Sequence, residues 1–294
     1  GNSDSHSSQT LKRAQSVIDA CRFTFWTDID PHVVETHLAR RRAEDKISVR
    51  TSNYYLAATK SFCKWMVRSG RADAVLAGGS EASISYGSMK SWEALRVMAP
   101  DTCRPFCKER RGMVLGEGAG VLVLENWERA KARGATIYGE LAGFGLSADA
   151  GDIVQPSADG AAAAVTGALK DAGLAPEQVG YVNAHGTGTQ INDVVETKAL
   201  RKALGAAAEK TAVSSTKSMH GHALGGAGAI EIVATVMALR EGLIPPTANF
   251  TVADPECDLD YVPNEARKAD LEAAISNSFA FGGLNAVMAV KRAA

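Results

Sequence analysis

From Thr10 to Cys21 apolar residues fall at helical spacing, at Leu11, Ala14, Val17, Ile18 and Cys21. Asp30 followed by Pro31 is a helix-start signal, an N-cap acceptor ahead of a first-turn proline. Val33, Val34, Leu38 and Ala39 then form an apolar stripe that Arg40, Arg41 and Arg42 end. A third helix is predicted after Ser48–Thr51, through Leu56, Ala57, Phe62, Trp65 and Met66. Near residue 66 the texture changes from Arg-rich and glycine-poor to Gly/Ala-rich with short apolar runs. Strands are predicted over 73–79, 121–125, 137–145, 179–184 and 213–215, and helices over 159–172, 193–204 and 228–240. Gly173 and Gly242 act as stops. Residues 274–279 and 286–290 flank Gly282 and Gly283 as a hairpin. Strands alternating with helices predict an α/β fold, a largely parallel sheet covered on both faces with an antiparallel edge.

Composition narrows this picture. The 294 residues are 46% hydrophobic, enough for a substantial core in one or two domains. A formal charge of −1 gives no overall pull toward nucleic acid or a membrane surface. No apolar run approaches the roughly 20 residues of a membrane span. Residues 1–9 are polar and Ser-rich, without the apolar core of a secretory signal. Five cysteines (Cys21, Cys63, Cys103, Cys107, Cys257) lack zinc-site spacing and read as free thiols in a reducing cytoplasm, with no metal expected.

Three loop segments carry chemistry. Asn183-Ala-His185-Gly-Thr187-Gly-Thr189 follows a predicted strand; its glycines clear room for a ligand and its threonines offer hydroxyls. Ser214-Ser-Thr-Lys217-Ser-Met-His220-Gly-His222 precedes a glycine run and an apolar helix carrying Glu231. The free N–H groups at the start of that helix are expected to favour a developing negative charge. Lys217 is expected to keep His222 neutral, as a donor to an oxyanion requires, with Glu231 as the counter-charge of Lys217. In the third segment, Ser276 to Asn285, Phe279 and Phe281 are two apart at a strand end and are expected to point the same way. A backbone N–H at the following turn suits an oxyanion hole. Each of these histidines, charges and phenylalanines has an ordinary structural reading when taken singly.

In this order the three segments resemble the β-ketoacyl-ACP synthases of the thiolase superfamily. The resemblance spans residues 67–294 and includes Gly70 to Glu81, Arg104-Pro-Phe106, Gly116 to Gly120, Gly242 to Thr247 and Asn249. Ala280 and Leu284 lean toward bacterial elongating synthases, including the nodulation-type branch. The resemblance implies a thiolase-like α/β fold with its C-terminal half intact and its N-terminal half truncated, preceded by a small all-α segment. The divisions are residues 1–66, 67–135 and 136–294. It implies decarboxylative condensation of malonyl-ACP with an acyl thioester, in fatty-acid or polyketide-type synthesis. His185 and His222 would be the catalytic pair, Lys217 and Glu231 their supporting charges, and Phe281 an oxyanion-hole donor. Thr187 and Thr189 would hold the phosphopantetheine arm and Phe279 would gate the acyl pocket. The partners implied are an acyl carrier protein, which brings the arm so that no other cofactor is needed, and a second subunit in a homo- or heterodimer.

Residues 1–66 depart from that family. Counting back from Trp65 places Asn53 where the family carries its nucleophilic cysteine, and Cys63 lies ten residues later as an expected buried apolar side chain. Leu38 to Arg42, Ser48 to Asn53 and Tyr55 to Trp65 resemble instead the helical DNA-clamping domain of tyrosine recombinases. Three readings follow: a synthase-family chain without its thiol, a non-catalytic partner subunit, or a DNA-binding module on an α/β body. The lack of a basic stripe beyond residue 71 weighs against the last, so no nucleic-acid partner is expected.

Overall fold

The computed structural model describes residues 74–149, 151–152 and 155–293, together with Lys12, residues 15–19, Cys21, Val34, residues 36–38 and Arg40. The expectations placed on Asn53, Cys63 and the third N-terminal helix lie outside these residues. Two compact units emerge, residues 1–76 with 123–135 and residues 77–122 with 136–294. In the first, Val17, Val34 and Leu38 are buried together, with Cys21 against them, so the two apolar stripes meet at these positions.

In chain order the elements are strand β1 (Ala74–Glu81), helix α1 (Tyr86–Ala94), β2 (Gly118–Glu125), α2 (Trp127–Ala132), β3 (Glu140–Ala148) and α3 (Ala158–Ala172). There follow β4 (Val179–Asn183), α4 (Gln190–Leu204), β5 (Ala212–Ser214), α5 (Lys217–His220) and α6 (Leu224–Glu241). The short β6 (Leu243–Ile244) and β7 (Arg267–Lys268) and the longer β8 (Ala273–Ala280) and β9 (Leu284–Lys291) complete the series.

The larger unit is organised by a five-stranded sheet in the order β3-β9-β8-β4-β5. β4 runs parallel to β5 and β8, whereas β8–β9 and β9–β3 are antiparallel. The antiparallel share exceeds the expected edge because β3 adds to the far side of the β8–β9 hairpin. Period-2 alternation divides the side chains between two cores. Val182, Ile275, Val287 and Ala289 pack under α3 and α4, while Tyr181, Ala274 and Val290 pack under Ile232 and Leu239 of α6. The Ala-rich α3 lies so close to β3 that a Cβ on Gly145 would come within 1.9 Å of the Ala164 carbonyl oxygen.

Several boundaries move. α6 starts at Leu224 rather than residue 228, so two glycines fall in its first turn; a Cβ on Gly226 would sit 2.9 Å from the Gly118 carbonyl. Close approach outweighs glycine's poor helix propensity there. Helices α1, α2 and α5 lack an apolar stripe long enough to predict them; α1 is capped by Ser85 and buries no residue. Among the described residues no helix is long and apolar enough to cross a membrane.

Candidate active site

The parallel strands β4 and β5 release their chains at the same sheet edge, and the chemistry collects there. Beyond β4 the chain turns through His185 and two left-handed glycines, Gly186 at φ 36° and Gly188 at φ 75°. A Cβ on Gly186 would lie 2.5 Å from Ser215 Cβ, so both φ and space require glycine. Two buried carboxylates on α4 hold this loop from behind. Glu196 accepts the N–H of His185 and of Gly186, each at 2.8 Å, and an amide hydrogen of Asn277 at 3.0 Å. Asp193 accepts the N–H of Phe106 at 2.7 Å and of Gly188 at 3.2 Å.

Beyond β5 the chain enters α5, and Lys217 turns inward to pair with Glu231 of α6. Both side chains are fully buried. The second oxygen of Glu231, Oε2, has no hydrogen-bond partner, and burial pushes this carboxyl up to about 7 against the pull of Lys217. The His222 ring stands edge-on to that of His185, with centroids 5.5 Å apart and planes at 84°. The Phe279 ring lies beside that of His185, tilted by 52° with centroids 5.8 Å apart.

Both imidazoles are held neutral. Burial, then the charge of Lys217, then His222 push His185 well below its ordinary 6.5. Burial and Lys217 bring His222 down to about 3. The Leu224 N–H donates to His222 Nδ1 at 3.2 Å, which leaves the proton of the neutral ring on Nε2. Leu224 adopts φ 37°, a left-handed conformation rare for a side chain of its kind, at the point where it makes this bond. The resulting Nε2–H is a donor suited to an oxygen that gains negative charge.

The structure brings His185, His222, Lys217, Glu231 and Phe279 together. Thr187 and Thr189 face each other across the glycine loop, with their hydroxyl oxygens 2.9 Å apart. Two expectations are corrected. Phe279 and Phe281 do not point the same way: β8 ends at Ala280, so Phe279 is buried while Phe281 sits in the turn, 48% exposed, stacked on Trp92 at 5.9 Å. The first N–H groups of α6 are not free for an anion, since those of Leu224, Gly225 and Gly226 go to His222 Nδ1, Glu81 Oε2 and the Ala223 carbonyl.

Sequence reasoning missed Asp193 and Glu196. Their signal was available, as two acids three apart on the helix that follows the glycine loop, an arrangement that places both on one face. Among the described residues there is no cluster of three or more His, Cys, Asp or Glu side chains able to hold a metal ion. Cys103, Cys107 and Cys257 are buried free thiols; burial pushes those of Cys103 and Cys257 up to about 12.

Comparison with known proteins places these features in one group. The model of the beta-ketoacyl synthase N-terminal domain matches residues 54–130, beginning immediately after Asn53. That of the beta-ketoacyl synthase C-terminal domain matches residues 138–251. Nodulation protein E of Rhizobium sp. (strain N33) is 55% identical over 226 residues, 77% of this chain and 56% of that protein. The 3-oxoacyl-[acyl-carrier-protein] synthase 2 of Synechocystis sp. (strain ATCC 27184 / PCC 6803 / Kazusa) is 52% identical over 235 residues, with the same coverage, 77% and 56%. A solved structure of a type II PKS acyl-carrier protein in complex with its ketosynthase bound to the hexaketide superimposes with a TM-score of 0.77. It is 39% identical over 80% of this chain and 60% of that one. The mixed sheet with helices on both faces is thus thiolase-like α/β. The chain spans a little over half the length of the curated relatives it matches.

Proposed function

The chain belongs to the β-ketoacyl synthase family, a family of acyltransferase enzymes, and on that premise we propose that its site decarboxylates a malonyl thioester. The thioester is delivered on the phosphopantetheine arm of an acyl carrier protein. The observation that carries this reading is the pair of neutral imidazoles beside the buried Lys217–Glu231 pair. As the bond between the methylene carbon and the carboxylate breaks, its electrons pass into the thioester carbonyl and CO2 leaves. The oxygen that becomes an enolate accepts hydrogen bonds from His222 Nε2–H and from His185. A protonated imidazole in either place would transfer its proton to that oxygen instead of sharing it. Burial and Lys217 prevent this.

In the full condensation the enolate carbon attacks an acyl thioester formed on an enzyme thiol, and that thiolate leaves. Asn53 stands at the thiol position in the resemblance, and an amide forms no thioester. The reading is therefore decarboxylation without acyl-enzyme formation, in which the enolate carbon takes a proton from water and leaves as an acetyl thioester. The test is CO2 release from malonyl-ACP, with His222→Ala as the control, alongside mass spectrometry of the intact protein after incubation with acyl-ACP. Release that His222→Ala lowers roughly 100-fold, with no acyl adduct, is the expected result. Binding of the carrier with no release would turn the reading to a non-catalytic partner subunit, and an acyl adduct would restore condensation.

A further inference from the structure

Behind the threonines of the glycine loop lies a charged side chain that the scheme above leaves without a part. Arg110 is 2% exposed and faces two carboxylates, pairing with Asp254 and lying 4.0 Å from the buried Asp193, yet it does more than balance their charge. Its guanidinium spreads over four acceptors: Nε donates to the Thr189 carbonyl at 3.2 Å and Nη2 to the Gln190 carbonyl at 3.0 Å. Nη1 donates to the Cys107 carbonyl at 2.9 Å and to the carboxylate of Asp254. The Gln190 side-chain amide returns a hydrogen bond to the Arg110 carbonyl. Two further bonds from the same segment hold the neighbouring peptides: Cys103 Sγ to the Thr187 carbonyl at 3.4 Å and the Gly112 N–H to the Gly188 carbonyl at 2.8 Å. Every carbonyl from Thr187 to Gln190 is thus held from one side by residues 103–112.

The threonine side chains of that loop, by contrast, are not committed to the protein's own backbone. Thr189 occupies the N-cap position of α4, where a threonine hydroxyl ordinarily accepts a helix N–H, but it makes no capping bond. Its hydroxyl meets only that of Thr187, an interaction that either hydroxyl exchanges for a ligand amide by rotating about one bond. We propose that Arg110 is a positioning residue for the thioester arm: by fixing the carbonyl side of the Thr187–Gln190 loop it presents the two hydroxyls to the amide groups of the arm. This rests on the decarboxylase reading of the site. A lysine in place of Arg110 has one nitrogen and does not span four acceptors in a plane, so this assignment depends on the fork as well as the charge.

The experiment compares two substrates for CO2 release by the full chain: malonyl-pantetheine, which has the amide arm, and the S-phenyl half-thioester of malonic acid, which has none. Arg110→Met is expected to raise KM for malonyl-pantetheine about tenfold, with kcat changed less than about twofold. It should leave kcat/KM for the armless thioester unchanged, because His185 and His222 are held by other groups. Should Arg110→Met fail to fold, Asp254→Ala at the more exposed end of the ion pair gives the same selective rise at about threefold. Arg110→Lys recovers only part of the loss. Equal losses on both substrates, or an unchanged KM for malonyl-pantetheine, would overturn the assignment of Arg110 while leaving the decarboxylase reading intact. A wild-type chain that releases CO2 from neither substrate removes both.

Discussion

The rear of the site and its front are built by opposite means. At the rear, His185, Lys217, Glu231 and Glu196 are all buried, Glu196 holding the His185 N–H and Lys217 pairing with Glu231. At the front, Phe281 lies past the end of β8, half exposed, with the Trp92 ring of α1 as its neighbour. Displacing a buried charge costs several kcal/mol, whereas one aromatic contact contributes only about 0.5–1.5 kcal/mol. The groups that set proton positions therefore sit where movement is expensive. Phe281, past the strand end, sits where it is cheap.

The contrast is broken most directly at Lys217. Lys217→Met leaves Glu231 buried without its partner and is expected to cost about 3–5 kcal/mol of folding stability, read from urea midpoints. Combining it with Glu231→Leu should recover most of that loss, and a double variant as unstable as the single would show that the rear is held by shape rather than by charge. Next in size, His222→Ala should lower CO2 release roughly 100-fold with little change in KM, which a malonyl-thioester assay resolves.

Acid tests the rear without mutation. Both imidazoles stay neutral in the folded chain below their ordinary 6.5, His222 down to about 3. The unfolded chain takes up protons in that interval and the folded chain does not. The stability they contribute is therefore complete above about pH 6.5 and is lost as pH falls from there toward 3, at up to about 1.4 kcal/mol per pH unit for each histidine. Glu231, raised from 4.5 to about 7, works in the opposite sense: what it contributes is present at low pH and lost as pH rises through 7. The difference between wild type and His222→Gln in denaturation at pH 7.0 and 5.5 isolates the histidine. CO2 release itself should show no limb near pH 6.5; a rate that halves there would mean that the imidazoles are not held neutral. The smallest effect is at the front, where Trp92→Ala should cost about 1 kcal/mol or less in stability. A larger loss would mean that the front is as firmly built as the rear.

The rear was the more legible part in sequence, and the reason is physical. Strand ends followed by glycines, a histidine or lysine among small residues and an apolar helix carrying one acid are local patterns, and the sheet brings them together without rearrangement. Phe281 misled because period-2 alternation holds only while the strand continues, and β8 stops one residue earlier. The start of α6 misled because glycine there serves close packing against Gly118, a contact more than a hundred residues away in sequence. Asp193 and Glu196 share one helix face in the sequence, but only the folded loop supplies the N–H groups that make their burial tolerable. Arg110 gave no local sign at all, because its four acceptors come from three separate segments.

The bond from Leu224 to His222 gives the site a spectroscopic reporter. An amide whose acceptor is an imidazole nitrogen loses that acceptor when the ring takes a second proton. The 15N–1H resonance of Leu224 should therefore follow the charge of His222 through a backbone signal, free of the overlap that hampers side-chain spectra. Its exchange with deuterated solvent should be slow at neutral pH and accelerate relative to neighbouring amides only in acid. A single peak would record how long the neutral Nε2–H ring persists.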